Sequence, residues 1–339
     1  MPQGKEMALV FVHLGSHKAP WLVTNMRQTK SNFPNRRVLL VSDNERLIKK
    51  CAKLNIESIF YEPSVSDFEL ENNSDWDLQF RSGFWLQTTR RFLALTSAQE
   101  CLDSPVLHIE SDVLLSPRID LLAFSRLNQD ISFGLVAPGI GVGALVYLRK
   151  PESSRFLSSF VLEEFKMPAK TNDMKILGAF ARRYPEMVAL LPTSPSQESL
   201  LFKQDTDIEF RRAVSALRYH FGGIFDVATI GQYMGGTDPR NERGIRRVYF
   251  VSESHRIDPS LGAFSCEKGG LLSVEDESPG SKVEVLSLHI HSKDLRFFYD
   301  RSATRLIEKR ITESRGRVVR EFSLWGFFEA LRSALRHLI

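Results

Sequence analysis

The sequence predicts an α/β fold, a Rossmann-like mixed sheet flanked by helices, and three observations support it. Short apolar segments alternate with helical segments along the first 120 residues, at the spacing of strand–helix–strand units. Polar or acidic residues follow several apolar segments, where parallel sheets bind their ligands. The composition, 42% hydrophobic and 25% charged residues, is that of a soluble globular protein.

The first part of the chain contains four predicted strands with helices between them. Strands are predicted at 7–15 (MALVFVHLG), 36–43 (RRVLLVSD), 56–63 and 105–115 (PVLHIESDVLL), and helices at 19–34, 44–55 and 84–101. Beyond residue 120 we expect two strands within 133–150, helices at 151–165 and 171–185, a glycine-rich loop with a short helix at 222–241, and a late strand from 282. This order predicts one domain over residues 1–305.

Several classes of protein are disfavoured. Three widely spaced cysteines with no CxxC pair describe neither a disulfide framework nor a zinc site, and favour a reducing compartment. The apolar run in the first residues is shorter than we expect of a signal peptide, and no apolar run reaches the roughly 18 residues that a membrane span needs. A net charge of +4 is only mildly basic, and we expect no nucleic-acid partner. We therefore predict a cytoplasmic protein, with or without peripheral contact on the inner face of a membrane.

The last predicted segment, 306–339, is an amphipathic helical extension. An apolar stripe at helical spacing begins at Leu324, and arginines flank it. Such a helix could pack on the body of the protein, oligomerise or lie on a bilayer. The sequence leaves these three roles open, and it does not predict an oligomeric state.

Two acids one residue apart, Glu110 and Asp112, end the fourth predicted strand. Like charges this close disfavour each other's ionisation unless a cation lies between them. Hard divalent cations take carboxylate oxygens and neutralise phosphates, so the pair suggests a site for a cation and a diphosphate. The alternative is an ordinary strand-ending turn, in which Ser and Asp are favoured.

The segment FWLQTTRRFLALTSAQECLDSPVLHIESDVLLSP (84–117) resembles the region through the DxD motif of GT-A-fold glycosyltransferases. The resemblance implies a GT-A-type fold in which Thr88 and Arg91 line a nucleotide-sugar pocket. It further implies that Asp112 is the second, metal-binding acid. Glu110 departs from the motif, which places its own role as a metal ligand in question.

His289 and His291 share a face of the late predicted strand, and Lys293 follows them. A structural histidine pair is the alternative. The layout resembles glycogenin and the bacterial lipopolysaccharide galactosyltransferases, where a late histidine completes the metal site and a lysine binds the diphosphate. The resemblance implies His291 as the preferred ligand, His289 as the second choice, and Mn²⁺ (or Mg²⁺) as the cofactor, since imidazole suits Mn²⁺.

Five further residues are candidates for the reaction or for nucleotide binding. His13, Gly15 and Asp43 follow the first two strands, where GT-A folds hold the nucleoside. Asp173 and Asp226 are candidate bases for the acceptor hydroxyl. A helix start explains Asp173 equally well, and the glycines around Asp226 also simply make turns.

By resemblance, the expected function is a metal-dependent, hexosyltransferase-like glycosyltransferase. It would move a sugar from a nucleotide-sugar, with UDP as the expected nucleotide, to a hydroxyl of a glycan or lipid-linked glycan. A non-catalytic nucleotide-sugar or glycan-binding protein is the main alternative. A metal-dependent nucleotidylyltransferase is disfavoured because LGSHKAPW, after the first strand, has a single glycine instead of a glycine-rich loop.

Overall fold

A computed structural model provides the structure of the chain. It describes residues 6–16, 19–72, 83–166, 171–236, 246–249, 254–267, 271–276, 281–293, 295 and 319–322. Two compact units make up the chain. Unit 1 consists of Met1–Val113 with Asp120–Leu191, and unit 2 of Leu114–Ile119 with Pro192–Ile339.

Unit 1 is a layered α/β structure. Its strands are β1 (Ala8–Val12), β2 (Val38–Ser42), β3 (Glu57–Phe60), β4 (Val106–Ile109), β6 (Ile131–Ala137), β7 (Ile140–Leu148) and β8 (Val188–Leu190). Its helices are α1 (Pro20–Asn32), α2 (Glu45–Ala52), α3 (Val65–Asn72), α4 (Phe84–Leu102), α5 (Leu122–Ser125), α6 (Pro151–Phe165) and α7 (Asp173–Arg183).

The seven strands of unit 1 form one mixed sheet in the order β3-β2-β1-β4-β7-β6-β8. The strands β3, β2, β1 and β4 are parallel, β7 is antiparallel to both β4 and β6, and β8 is parallel to β6. Leu9, Leu39 and Leu107 on the central strands are fully buried, as expected for parallel strands covered on both faces. The predicted α/β class, with a mixed sheet flanked by helices, is confirmed.

Local sequence signals explain where several of these helices begin. Pro20 and Pro151 occupy the first turns of α1 and α6, where a missing N–H has no consequence. Asn44 caps α2 by accepting from Leu47 N over 3.1 Å, and Asn172 caps α7 in the same way. These caps satisfy backbone donors that a helix start leaves open.

Unit 2 is built around a smaller sheet. Its strands are β5 (Val113–Leu115), β9 (Gly223–Phe225), β11 (Phe264–Glu267), β12 (Leu271–Glu275) and β13 (Lys282–His289), with β10 (Arg246–Tyr249) paired to β14 (Val319–Phe322) in a separate ribbon. Its helices are α8 (Ile208–Ala213), α9 (Arg218–Phe221) and α10 (Ile230–Gly235). The main sheet has the order β11-β12-β13-β5, and β9 pairs with β13 in parallel.

The predicted fourth strand, 105–115, differs from the structure. It divides into β4 and β5, and the turn between them contains Glu110, Ser111 and Asp112. β4 belongs to the sheet of unit 1, whereas β5 pairs with β13. The break has a local cause, because Val113 N donates to Glu110 O over 3.0 Å and closes a tight turn.

The predicted C-terminal helical extension lies largely outside the described residues. Its stripe from Leu324 onward is not described, and neither is the predicted domain boundary at 305, so both stay predictions. Within the segment, Val319–Phe322 forms strand β14. Among the described residues, no helix is both long and apolar enough to cross a membrane.

Candidate metal and nucleotide site

Three neighbouring parallel strands of unit 1, in the order β2-β1-β4, end at one edge of the sheet. His13 follows β1, Asp43 follows β2, and Glu110 and Asp112 follow β4. The carboxyl ends of parallel strands are where open α/β sheets bind ligands. The fold therefore brings four predicted site residues to the same edge of one sheet.

Polar contacts hold the loops after β1 and β2 together. Gly15 N donates to Asp43 Oδ1 over 2.8 Å, and the Ser42 hydroxyl donates to the His13 carbonyl over 2.6 Å. His13 is buried, whereas the Asp43 side chain keeps partial exposure. Asp43 is therefore the more accessible of the two for a ligand.

A buried ionic network lies next to the loop after β2, which contains Asp43. Arg90 Nε donates to Asp67 Oδ1 over 2.8 Å, and Tyr61 donates to Asp67 Oδ2 over 2.6 Å. Burial by itself would raise the pKa of Asp67, but hydrogen bonds from Tyr61, Arg90 and Ser64 outweigh it and hold that pKa below its ordinary value. Arg90 also lies 4.0 Å from Asp43, so its charge reaches the strand-end edge.

Arg91, one residue further along α4, brings Glu110 and Asp173 together. Its guanidinium donates to a Glu110 carboxylate oxygen and, over 2.5 Å, to Asp173 Oδ2. It also donates to the Thr88 carbonyl over 2.6 Å and to the Gly143 carbonyl over 3.3 Å. One buried cation thus joins α4, the turn after β4, β7 and the start of α7.

Glycine at position 143 makes room for this guanidinium. A Cβ there would lie 3.1 Å from Arg91 Cζ, which is too close without a shift of the arginine. Arg91 is 5% exposed and its nitrogens are already engaged, while the Thr88 hydroxyl donates to Trp85 O over 3.1 Å. Both side chains are held within the unit, and their contact with a nucleotide-sugar stays a prediction.

The surroundings of Arg91 shift the pKa values of two neighbours. Burial raises the pKa of the Asp173 carboxyl; Arg91 opposes this rise and Glu110 adds to it. Burial, with the Arg91 charge, lowers the pKa of His108 to about 3. His108 is therefore neutral near pH 7, which leaves Arg91 as the cation facing Glu110 and Asp173.

Asp226, in unit 2, anchors the start of α10. Its Oδ1 accepts from Thr229 N over 2.8 Å and from Ile230 N over 2.9 Å. Its Oδ2 accepts from Gly231 N over 2.7 Å and from His289 N over 2.9 Å. One carboxylate thus ties α10 to the end of β13.

This anchoring bears on the predicted role of Asp226. The residue is 1% exposed, and burial raises its pKa while the backbone donors lower it. A base for an acceptor hydroxyl must reach that hydroxyl, whereas both oxygens of Asp226 are occupied by N–H groups. The geometry fits a structural anchor, and the catalytic assignment of Asp226 stays a prediction.

The two predicted histidines differ in their positions. His289 is the last residue of β13 and is buried, whereas His291 lies in the following turn and is partly exposed. Their ring centroids are 4.2 Å apart, and the Gln232 side-chain nitrogen lies 3.1 Å from His291 Nδ1. Lys293 closes this turn, since its N–H donates to Ile290 O over 2.9 Å.

Two of the four predicted metal ligands lie close together in unit 1. Glu110 and Asp112 belong to the turn between β4 and β5, and a carboxylate oxygen of each lies within 4.8 Å of the other. His289 and His291 belong to unit 2, at the end of β13 and in the turn that follows it. Their role as metal ligands stays a prediction.

Sequence reasoning missed several residues that position this edge. One group is the ion pair of Arg90 with Asp67, next to Asp43. The other is Trp21 with Asn25, which contact the turn after β4. Trp21 and Asn25 stand four residues apart on α1 and therefore share one face of the helix. A polar Asn between Leu22 and Met26 on the buried face of that helix was the available signal.

No protein family matches the chain, and no curated protein matches it significantly. Similar solved structures include a glycosyltransferase involved in the glycosylation of the major capsid of PBCV-1, with 11% identity over 54% of this chain and 80% of that chain and a TM-score of 0.33. Mouse xyloside xylosyltransferase 1 is similar with 10% identity over 61% of this chain and 93% of that chain and a TM-score of 0.37. A cytidylyltransferase from Leptospira borgpetersenii serovar Hardjo-bovis is similar with 11% identity over 63% of this chain and 87% of that chain and a TM-score of 0.34. TM-scores this low carry no inference about activity, so the function has to be inferred from the residues of this chain.

Proposed function

We propose that this chain is a metal-dependent glycosyltransferase. It transfers a sugar from a nucleotide-sugar, with UDP as the expected nucleotide, to a hydroxyl of a glycan or lipid-linked glycan. The observation that carries the proposal is the position of Asp43 at the carboxyl end of β2 and of Glu110 and Asp112 at the carboxyl end of β4, the two parallel strands on either side of β1. This edge suits a ligand that combines a nucleoside with a diphosphate.

The carboxylates of Glu110 and Asp112, close together in one turn, fit a divalent cation. We further propose that a histidine, His289 or His291, completes the set, and Mn²⁺ accepts such mixed oxygen and nitrogen ligands more readily than Mg²⁺ does. When bound, the cation would neutralise the diphosphate and stabilise the negative charge that develops on the departing nucleotide. Asp112 is the ligand on which the proposal depends most, because it is a buried carboxylate, 3% exposed, in the turn at the carboxyl end of β4.

The remaining residues would bind and orient the donor. Asp43 keeps partial exposure and would accept a hydrogen bond from a nucleoside hydroxyl. Lys293 follows the histidine turn and would add a positive charge for the diphosphate. Arg91 would act indirectly, because its contacts hold Glu110 and Asp173 in place.

An inverting reaction needs a carboxylate that takes the proton from the acceptor hydroxyl. Among the two candidates, Asp226 already holds four backbone donors. Asp173 Oδ1 is buried and has no hydrogen bond within the described part of the chain. Asp173 is therefore the better candidate for the base, and a retaining enzyme would not need it in this role.

A non-catalytic nucleotide-sugar or glycan-binding protein is the second candidate. The contact between Arg91 and Glu110 favours it, because an ion pair with arginine already compensates a carboxylate that a DxD-type enzyme would offer to the metal. In that case the chain would bind the nucleotide-sugar without turning it over.

Hydrolysis and transfer of a panel of UDP-sugars, with and without Mn²⁺, separates the two candidates. We expect Mn²⁺-dependent turnover in the wild type and its loss in Asp112→Asn. Asp205→Asn, a change at an exposed carboxylate paired with Arg256, is the matched control and should retain activity. Binding of UDP without turnover of any donor would support the non-catalytic candidate, and no UDP binding in a thermal-shift assay would contradict both.

A further inference from the structure

The turn that presents Asp112 is held by two side chains of α1. The Trp21 indole N–H donates to Ser111 Oγ over 3.0 Å. Asn25 Nδ2 donates to the Ser111 carbonyl over 3.0 Å and to the Val113 carbonyl over 2.8 Å. One amide group thus binds the carbonyls on both sides of Asp112.

The chemistry of this contact fixes the orientation of the Asn25 amide. Only the NH₂ group of an asparagine can donate to carbonyl oxygens, and it has two hydrogens for the two acceptors. Asn25 is 1% exposed, so water does not compete for these bonds. Asn25 therefore fixes the peptide group before Asp112 and the carbonyl of the residue after it, while the Val113 N–H is held by the Glu110 carbonyl.

We propose that Asn25 is a positioning residue that sets the direction of the Asp112 carboxylate. The direction of a side chain follows from its backbone, and the backbone here is fixed at the residue before and the residue after. Residues that orient a metal ligand commonly change metal affinity 10–100-fold when they are replaced. The inference rests on the proposed function, because it assumes that Asp112 binds a metal.

Two variants at position 25 test the role, and one on the same helix serves as the control. Asn25→Asp removes the NH₂ donors with almost no change of shape, and Asn25→Leu removes them without adding charge. Gln28→Glu makes the same amide-to-carboxylate change one turn away, where the Gln28 amide contacts Asn32 and not the turn. Asp112→Ala reports how much of the metal binding depends on that ligand.

The first measurement is Mn²⁺ binding by calorimetry, which does not require turnover. We expect the dissociation constant to rise about tenfold or more in both Asn25 variants and to stay within about twofold of wild type in Gln28→Glu. Asn25 variants that bind Mn²⁺ as the wild type does, when Asp112→Ala does not, would overturn the proposal.

The second measurement is hydrogen exchange of the backbone amides at 110–113 in the absence of metal. We expect faster exchange in the Asn25 variants and unchanged exchange in Gln28→Glu, since local order depends on the Asn25 bonds. If the wild type binds no Mn²⁺, the proposed function fails, and hydrogen exchange alone decides whether Asn25 orders the turn. Exchange in the Asn25 variants equal to that in the wild type would then overturn the inference. Should both Asn25 variants fail to fold, Trp21→Phe, which removes only the bond to Ser111, gives the same readouts with a smaller expected change.

Discussion

Replacing Arg91 tests whether its contacts hold Glu110 and Asp173 in place near the carboxyl end of β4. Arg91→Met keeps much of the side-chain volume and removes the charge. It leaves the carboxylates of Glu110 and Asp173 without their shared cation, and it removes the Arg91 donors to the Thr88 and Gly143 carbonyls. Removing one partner of a buried ion pair typically destabilises a protein by about 3–5 kcal/mol, and we expect a loss in this range.

Urea unfolding at pH 7, followed by circular dichroism and tryptophan fluorescence, measures the loss. Arg155→Met is the matched control, because Arg155 pairs with Glu100 and Glu152 at the exposed surface, where such pairs contribute about 0–1 kcal/mol. Adding Asp173→Asn to Arg91→Met should recover part of the loss, since it removes one of the stranded charges. If Arg91→Met loses no more than Arg155→Met, Arg91 does not hold the two carboxylates as described.

Three further predictions concern unit 2. Asp226→Asn should lower the free energy of unfolding by about 2–3 kcal/mol, because an amide NH₂ would face backbone donors; a urea midpoint equal to that of the wild type would contradict the anchor. Gly231→Ala should lower the melting temperature by several degrees or prevent folding, since its Cβ would lie 1.9 Å from the His289 carbonyl oxygen. An unchanged melting temperature would show that residue 231 and the His289 carbonyl do not approach each other this closely. Burial, with the Lys203 charge, lowers the pKa of His255 to about 4. As the pH falls from 7 to 5, the unfolded chain therefore protonates this histidine and the folded chain does not, so His255 alone should lower the free energy of unfolding of the wild type by about 2 kcal/mol. His255→Asn should lose less over the same interval in urea titrations, and an equal loss would contradict the pKa assignment.

The sequence predicted this edge because its signal is local. An apolar run followed by a polar residue marks the end of a buried parallel strand, and this pattern found His13, Asp43, Glu110 and Asp112. Parallel strands then place such ends at the same edge. The class of the fold and the neighbourhood of these residues could therefore be predicted without knowing any tertiary contact.

The partners of these residues depend on contacts far apart in sequence. Arg91 and Asp173 are 82 positions apart, and Asn25 and Val113 are 88 apart, so no local pattern joins them. The break between β4 and β5 was missed because Val113–Leu115 is as apolar as the strand before it. The anchoring of Asp226 could not be predicted either, since a single sequence does not show which backbone donors surround a carboxylate.

The charges around Arg91 are consistent with the proposed cation at the turn after β4. Glu110, Asp112 and Asp173 carry three formal negative charges, and Arg91 carries one positive charge against two of them. His108 adds no positive charge near pH 7, because its pKa is about 3. A divalent ion at Glu110 and Asp112 would bring the group close to neutrality, which is the condition under which buried carboxylates remain ionised. Arg91 would therefore complement such an ion, because it compensates Glu110 and Asp173, the two carboxylates that it contacts directly.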